Sequence, residues 1–98
     1  MARNKCEYSL IRREERKDEE NSYLYELMMR LGDTVASFRM PLYSIRVNMT
    51  DRCGNVGSAD VCDAFTDEDK AICFFDKLVR NLATPIDLSY IFEDEMAE

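Results

Sequence analysis

Four cysteines, Cys6, Cys53, Cys62 and Cys73, are the side chains with the most chemistry in this sequence, and it contains no histidine. Structural zinc draws on closely spaced Cys or Cys/His pairs, because four ligands must close a tetrahedron. No two of these cysteines stand in a C-x-x-C pair. The expectation is therefore no bound metal and no cofactor. Histidine is the usual general acid or base at neutral pH, so ordinary acid–base catalysis lacks its main actor. Glu93, Asp94 and Glu95 are consecutive and fan around a helix instead of converging. The loop "DRCGNVG" lacks the alternating acidic ligands of a calcium loop, and its glycines do not precede a helix as a phosphate cradle requires. No catalytic residue is assigned.

Two residues stand out by position. Cys73 falls on the far side of an amphipathic segment whose apolar face centres near Phe75 and Leu82, among Asp76, Lys77 and Arg80. It reads as a surface cysteine or as part of a subunit interface, with a reactive thiol as the alternative. Phe74, at the flank of the core stripe, adds to a candidate contact patch of Cys73, Phe74 and Lys77. Asp63 breaks the alternation of a strand between Val61 and Phe65. We expect it at the strand end, accepting hydrogen bonds from N–H groups of the next helix. The functional alternative is a buried carboxylate with a perturbed pKa.

The elements that must position these groups are legible. Cys6–Arg13 alternates as a strand, and the charged run Glu14–Asn21 reads as an exposed connection. Ser22–Leu31 fits a strand or one face of a helix; its aromatics favour the strand. "LGDT" offers a turn. Val35–Thr50 is extended and interrupted at Pro41, which cannot donate to a ladder, so an edge or a bulge is expected there. Such an edge makes Pro41 a candidate site of self-association. Tyr43, Ile45, Val47 and Met49 alternate with Ser44, Arg46, Asn48 and Thr50. "TDRCGNVGS" reads as a hairpin connection returning into Ser58–Phe65, with Ala59, Val61 and Phe65 inward. Leu24 or Met28 is left over for the second face of its strand. Met28, Met29 and Met40 read as core filler, with a plastic binding surface as the alternative.

Two helices complete the chain. Thr66 is the expected N-cap of the first, with Asp67, Glu68 and Asp69 in its first turn. Ala71, Ile72, Phe75, Leu78, Val79 and Leu82 form its apolar face. In the second, Thr84 caps, Pro85 takes the first helical position and Asp87 the third. Leu88, Ile91, Phe92 and Met96 form its inward stripe. A sheet with one apolar face and two helices with one apolar stripe each solve each other's burial problem. The expected fold is α+β: an antiparallel meander of about four strands with a C-terminal helical pair on one face.

"YSIRV" (Tyr43–Val47), "DAFTDEDKA" (Asp63–Ala71) and "FFDKLVRNLATPIDLSYIFEDE" (Phe74–Glu95) together resemble a family of small Firmicutes proteins that carries a domain-of-unknown-function label. Phe65 stands where the family pattern has isoleucine. The resemblance lies mainly over residues 43–95. It implies this fold and a cytoplasmic setting, and it brings no activity, cofactor or catalytic residue with it.

With 98 residues the chain suits a single domain over 1–98, residues 1–4 reading as a flexible tail. A hydrophobic fraction of 46% is that of a globular protein. No leader and no membrane span is read, so the expected compartment is the cytoplasm, where cysteines stay thiols. The net charge of −7 is unevenly spread. Residues 1–52 hold ten basic and nine acidic groups, residues 53–98 three basic and eleven acidic. Such an acidic half repels a phosphate backbone, which argues against nucleic-acid binding. The expected function is a small protein–protein interaction module without catalytic activity, binding another protein or a second copy of itself. The alternative is a thiol-dependent, redox-responsive or weakly metal-binding protein.

Overall fold

The computed structural model describes residues 8–32 and 41–96. It has four strands, β1 (Ser9–Lys17), β2 (Asn21–Leu31), β3 (Pro41–Asp51) and β4 (Val56–Phe65), then two helices, α1 (Glu68–Arg80) and α2 (Pro85–Met96). The strands form one antiparallel sheet in the order β1-β2-β3-β4. This is the expected α+β meander with its helical pair. Cys6, Met40, the tail at 1–4 and the stretch 33–40, with the second half of "LGDT" and the start of Val35–Thr50, lie outside the described residues, as does the side chain of Met96.

Sequence alternation sets the two faces. Tyr23, Tyr25 and Leu27 of β2 and Tyr43, Ile45 and Val47 of β3 are buried under the helices. The intervening residues face the other way, as a period of two requires. The β2–β3 ladder runs without interruption from Asn21 opposite Asp51 to Leu31 opposite Pro41. Burial on one face fixes that register, because a slip of one residue would turn every tyrosine outward. Ser22–Leu31 is thus a strand, and the helical alternative fails.

The first hairpin begins later than its sequence suggests. Glu14–Lys17 belongs to β1, and only Asp18–Glu20 makes the connection. One carboxylate organises it. Asp18 Oδ1 accepts from the backbone N–H groups of Glu20 (2.9 Å) and Asn21 (2.7 Å), and Tyr23 donates its hydroxyl to Oδ2 (3.0 Å). These bonds, the Glu20 N–H first, favour the ionised form and hold Asp18 below the usual carboxylate range. Asp51 does the same work in the β3–β4 hairpin. Its Oδ1 accepts from the N–H groups of Cys53 and Asn55, both at 2.9 Å, while Gly54 takes the positive φ of 90° that the turn needs. Bonds from Asn55 likewise hold Asp51 low.

Pro41 does not mark an edge. It opens β3, which is paired on both sides, and it sits at the first position of the strand, where a missing N–H is tolerated. The edges are β1 and β4.

The helices add Ala71, Phe74, Phe75, Leu78, Val79 and Leu88 to the core. Asp67, not Thr66, caps α1: its backbone is extended and its side chain accepts from the Asp69 N–H at 3.0 Å. Asp is as good a cap as Thr, and of two adjacent candidates the helix begins after the second. Beyond Arg80 the chain turns through a left-handed Leu82 (φ 49°), with Ala83 N–H bonded to the Leu78 carbonyl (3.0 Å) and Leu82 N–H to Val79 (3.2 Å). That is a Schellman stop with leucine in the glycine position. Thr84 precedes α2 with Pro85 first and Asp87 third, as expected, and the two close a reciprocal capping box: Thr84 N–H to Asp87 Oδ2 and Asp87 N–H to Thr84 Oγ1, each 3.1 Å. Tyr25, wholly buried, donates its hydroxyl to the Ala83 carbonyl at 2.9 Å and so ties β2 to the link between the helices. Burial, then the neighbouring Tyr23, pushes the Tyr25 phenol up to about 12.

Candidate functional site

The sequence candidates separate in space. Phe74 is not a contact residue: it is 2% exposed and sits in an aromatic cluster, tilted against the Phe65 ring at 5.4 Å and edge-on to Phe92 at 5.9 Å. An apolar arc wide enough to touch both the sheet and α2 spans more of α1 than the stripe read from spacing, and Phe74 fills the added width. Lys77 is half-buried and bridges the helices, its Nζ 3.2 Å from Glu95 Oε1. Pro41 lies in the inner strand. Of the proposed patch only Cys73 is exposed.

Cys73 lines a cleft of about 320 Å³ with Phe65, Asp69, Lys70 and Glu95. One thiol, one amine and two carboxylates stand around an aromatic wall. Cys53 lies in the β3–β4 hairpin and Cys62 on β4, so the three described thiols are dispersed over separate elements. Among the described residues no group of three or more Cys, Asp and Glu is arranged to hold a metal ion.

Asp63 takes a third role, neither cap nor isolated buried acid. Between the pairs Tyr43–Phe65 and Ile45–Val61, three residues of β4 face the single Ser44, a bulge. Asp63 adopts a left-handed φ of 53°, and its N–H bonds to Ser44 Oγ at 2.8 Å. The carboxylate leaves the helix face and meets Arg30 of β2 through two bonds, Nε to Oδ1 (3.1 Å) and NH2 to Oδ2 (2.6 Å). This fork spans β3, whose Ser44, bonded to the Asp63 N–H, is 3% exposed. An acid at a break in alternation was the signal for this pair; its partner, 33 residues earlier, left none.

The surface that sequence reading missed is on α2. Leu88 is buried and Ile91 and Phe92 pack against the core. Ile86 and Tyr90 point away and are 72% and 68% exposed. At about 100° per residue, Ile86, Tyr90, Glu93 and Asp94 form a stripe opposite Leu88, Ile91 and Phe92. The available signal was the number of apolar residues. Positions 86, 88, 90, 91 and 92 are more than one stripe can use. The acids at the helix end also oppose the macrodipole, which favours cations there, and no basic residue occupies the last turn.

A second exposed apolar group lies at the start of edge strand β1. Leu10 is 53% and Ile11 36% exposed, and a bulge at Ile11 interrupts the pairing with β2. Arg12 and Arg13 follow directly. The helices pack on β2, β3 and β4, leaving β1 to overhang beside them.

The chain belongs to the family of unknown function DUF6514, whose model matches residues 4–98. No curated protein matches it, and no solved structure does. Among the described residues no helix is long and apolar enough to cross a membrane.

Proposed function

We propose that the protein is a small interaction module without catalytic activity, acting in the cytoplasm by binding a protein through the outer face of α2. The observation that carries this reading is the pair Ile86 and Tyr90, more than two-thirds exposed on one stripe of a helix whose other stripe is in the core. Folding gains nothing from apolar groups held in water. Tyrosine is enriched at interfaces because it offers a large rigid surface with a polar tip. Affinity capture from a lysate of the source cells tests this. The wild-type chain should retain a partner that the I86S/Y90S variant loses; identical captured sets would contradict the reading.

A thiol-dependent function is the second reading. It rests on the exposed Cys73 in a cleft shared with Lys70. Labelling by a thiol reagent, compared between the wild type and C73S, decides it: Cys73 must label faster than free cysteine.

A further inference from the structure

The sheet has two edges, and only one is guarded. On β1 the run Arg12–Lys17 is charged throughout, and a bulge at Ile11 breaks the ladder; both features discourage a further strand. On β4 the stretch Val56–Val61 holds a single charged residue, Asp60, which pairs with Arg46 at 3.7 Å. The β4 backbone is also ready to bond. Asp51 N–H bonds to the Asn55 carbonyl, and the ladder continues through Met49–Gly57, Val47–Ala59 and Ile45–Val61. Bonded residues alternate along an antiparallel strand. Gly57, Ala59 and Val61 therefore bond to β3, while Val56, Ser58 and Asp60 turn their N–H and C=O groups outward. Among the described residues no strand meets them.

The exposed stripe of α2 lies beside that edge. Helix α1 packs mainly on β2 and α2 mainly on β4, so the side of α2 away from α1 is the side of the free edge. Glu95 marks the α1 side through its bond to Lys77. At about 100° per residue, Ile86 stands half a turn round from Glu95, and Tyr90 and Glu93 lie within about 40° of Ile86. Ile86, Tyr90 and Glu93 thus overhang β4.

We propose that β4 pairs with β4 of a second copy, antiparallel about a two-fold axis near Ala59, and that Ile86 of each α2 packs against Tyr90 of the other. The spacing of the two layers selects a second copy. Strands pair about 4.8 Å apart, and each α2 sits over β4 and β3. Two such helices, each set back by half a strand spacing, come about 10 Å apart, within reach of the 8–10 Å typical of packed helices. One axis also serves both layers. Pro85 Cγ lies 3.9 Å from the place a Cβ on Gly57 would take, and Phe92 meets Phe65 at 6.0 Å, so α2 runs alongside β4 in the same direction. Leu88, midway between Ile86 and Tyr90, is then about 4.5 Å beyond Pro85, abreast of Ser58 and Ala59. The charges agree with the same axis. Asp60 falls opposite Ser58 of the second copy, and Glu93 approaches the N-terminal end of the other α2, where the macrodipole favours an acid. A foreign strand added to the edge would leave Ile86 and Tyr90 in water. The contact is isologous and closes at two copies. For its α2 half the proposal rests on the interaction reading above, and it names the partner as another copy of the chain.

Sedimentation velocity and amide hydrogen exchange test it on the wild type and I86S/Y90S. Both substituted residues are exposed, and an unchanged far-UV circular dichroism spectrum checks that the variant folds. The wild type should sediment at twice the monomer mass and dissociate on dilution, while the variant stays monomeric at the same concentration. In the wild-type dimer the Ser58 and Asp60 amides should exchange at least about tenfold more slowly than in the variant, because the new ladder closes their N–H groups. A wild type that is monomeric at every concentration would overturn the proposal. So would a dimer whose Ser58 and Asp60 amides exchange as fast as in the variant, since its contact would lie elsewhere. A foreign protein captured by a monomeric wild type and lost by I86S/Y90S would keep the α2 interaction reading and overturn this one.

Discussion

The two helices are of nearly equal length and sit on the same sheet, yet only one is explained by the fold. In α1 the acids Glu68 and Asp69 occupy the first turn and Lys77 and Arg80 the last, as the macrodipole favours. Its Phe74, Phe75, Leu78 and Val79 are buried. These choices along α1 serve folding. In α2 the start obeys the same rules through the Thr84–Asp87 box, but its end does not. Acids crowd the C-terminus, and two large apolar residues face water. A sequence that satisfies local rules in one helix and breaks them in its neighbour marks where something other than folding set the residues.

Substitutions should sort accordingly. The largest effect is expected in α1. Phe75, fully buried, should cost about 3–5 kcal/mol when changed to Ala, read from urea unfolding. A cost near zero would mean that α1 is not part of the core.

Next is the tie between the sheet and the interhelical link. Tyr25→Phe leaves the buried Ala83 carbonyl without its donor and should cost about 1–3 kcal/mol. The same residue sets a pH dependence. Its folded pKa, pushed up to about 12, lies above the ordinary value of 10.0. The stability it lends is full below pH 10.0 and is lost as pH rises toward about 12. Tyr43 titrates late in the same sense, raised by burial and by Glu68, Asp67 and Asp69. Stability measured across that window should fall more steeply for the wild type than for Tyr25→Phe; equal slopes would dissociate the effect from Tyr25.

Smaller still is the cap that α2 shares in kind with α1. Thr84→Ala should destabilise by about 1 kcal/mol, by unfolding or thermal melting. The smallest effect belongs to the stripe that distinguishes α2. Ile86→Ser and Tyr90→Ser should each change stability by less than about 0.5 kcal/mol, as exposed positions do. A larger loss would show that these side chains serve the fold after all, and the contrast between the helices would disappear.

Much of this was legible from the chain. Strict alternation at Tyr43–Met49 set β3, and the spacing "TPID" set the α2 start, because both are local rules with a fixed period or offset. The failures at Pro41, Phe74 and Asp63 share one physical cause: they depend on residues distant in sequence. Pro41 reads as an edge until the pairing of β3 with both β2 and β4 is known. Phe74 reads as a flank residue until Phe65 and Phe92 meet it. Asp63 reads as a helix-start acceptor until Arg30 arrives from across the sheet. The outward stripe of α2 was visible only as a surplus of apolar residues, and the fold decides which of them are surplus.

The central claim is that Ile86 and Tyr90 are kept for binding. Quantitative affinity capture with the wild-type chain and I86S/Y90S, matched for stability by urea unfolding, tests it most directly. The account predicts a partner, whether another protein or untagged copies of the chain itself, that is retained by the wild type and absent from the variant. Equal capture by two equally stable proteins would contradict it and return the search to the Cys73 cleft.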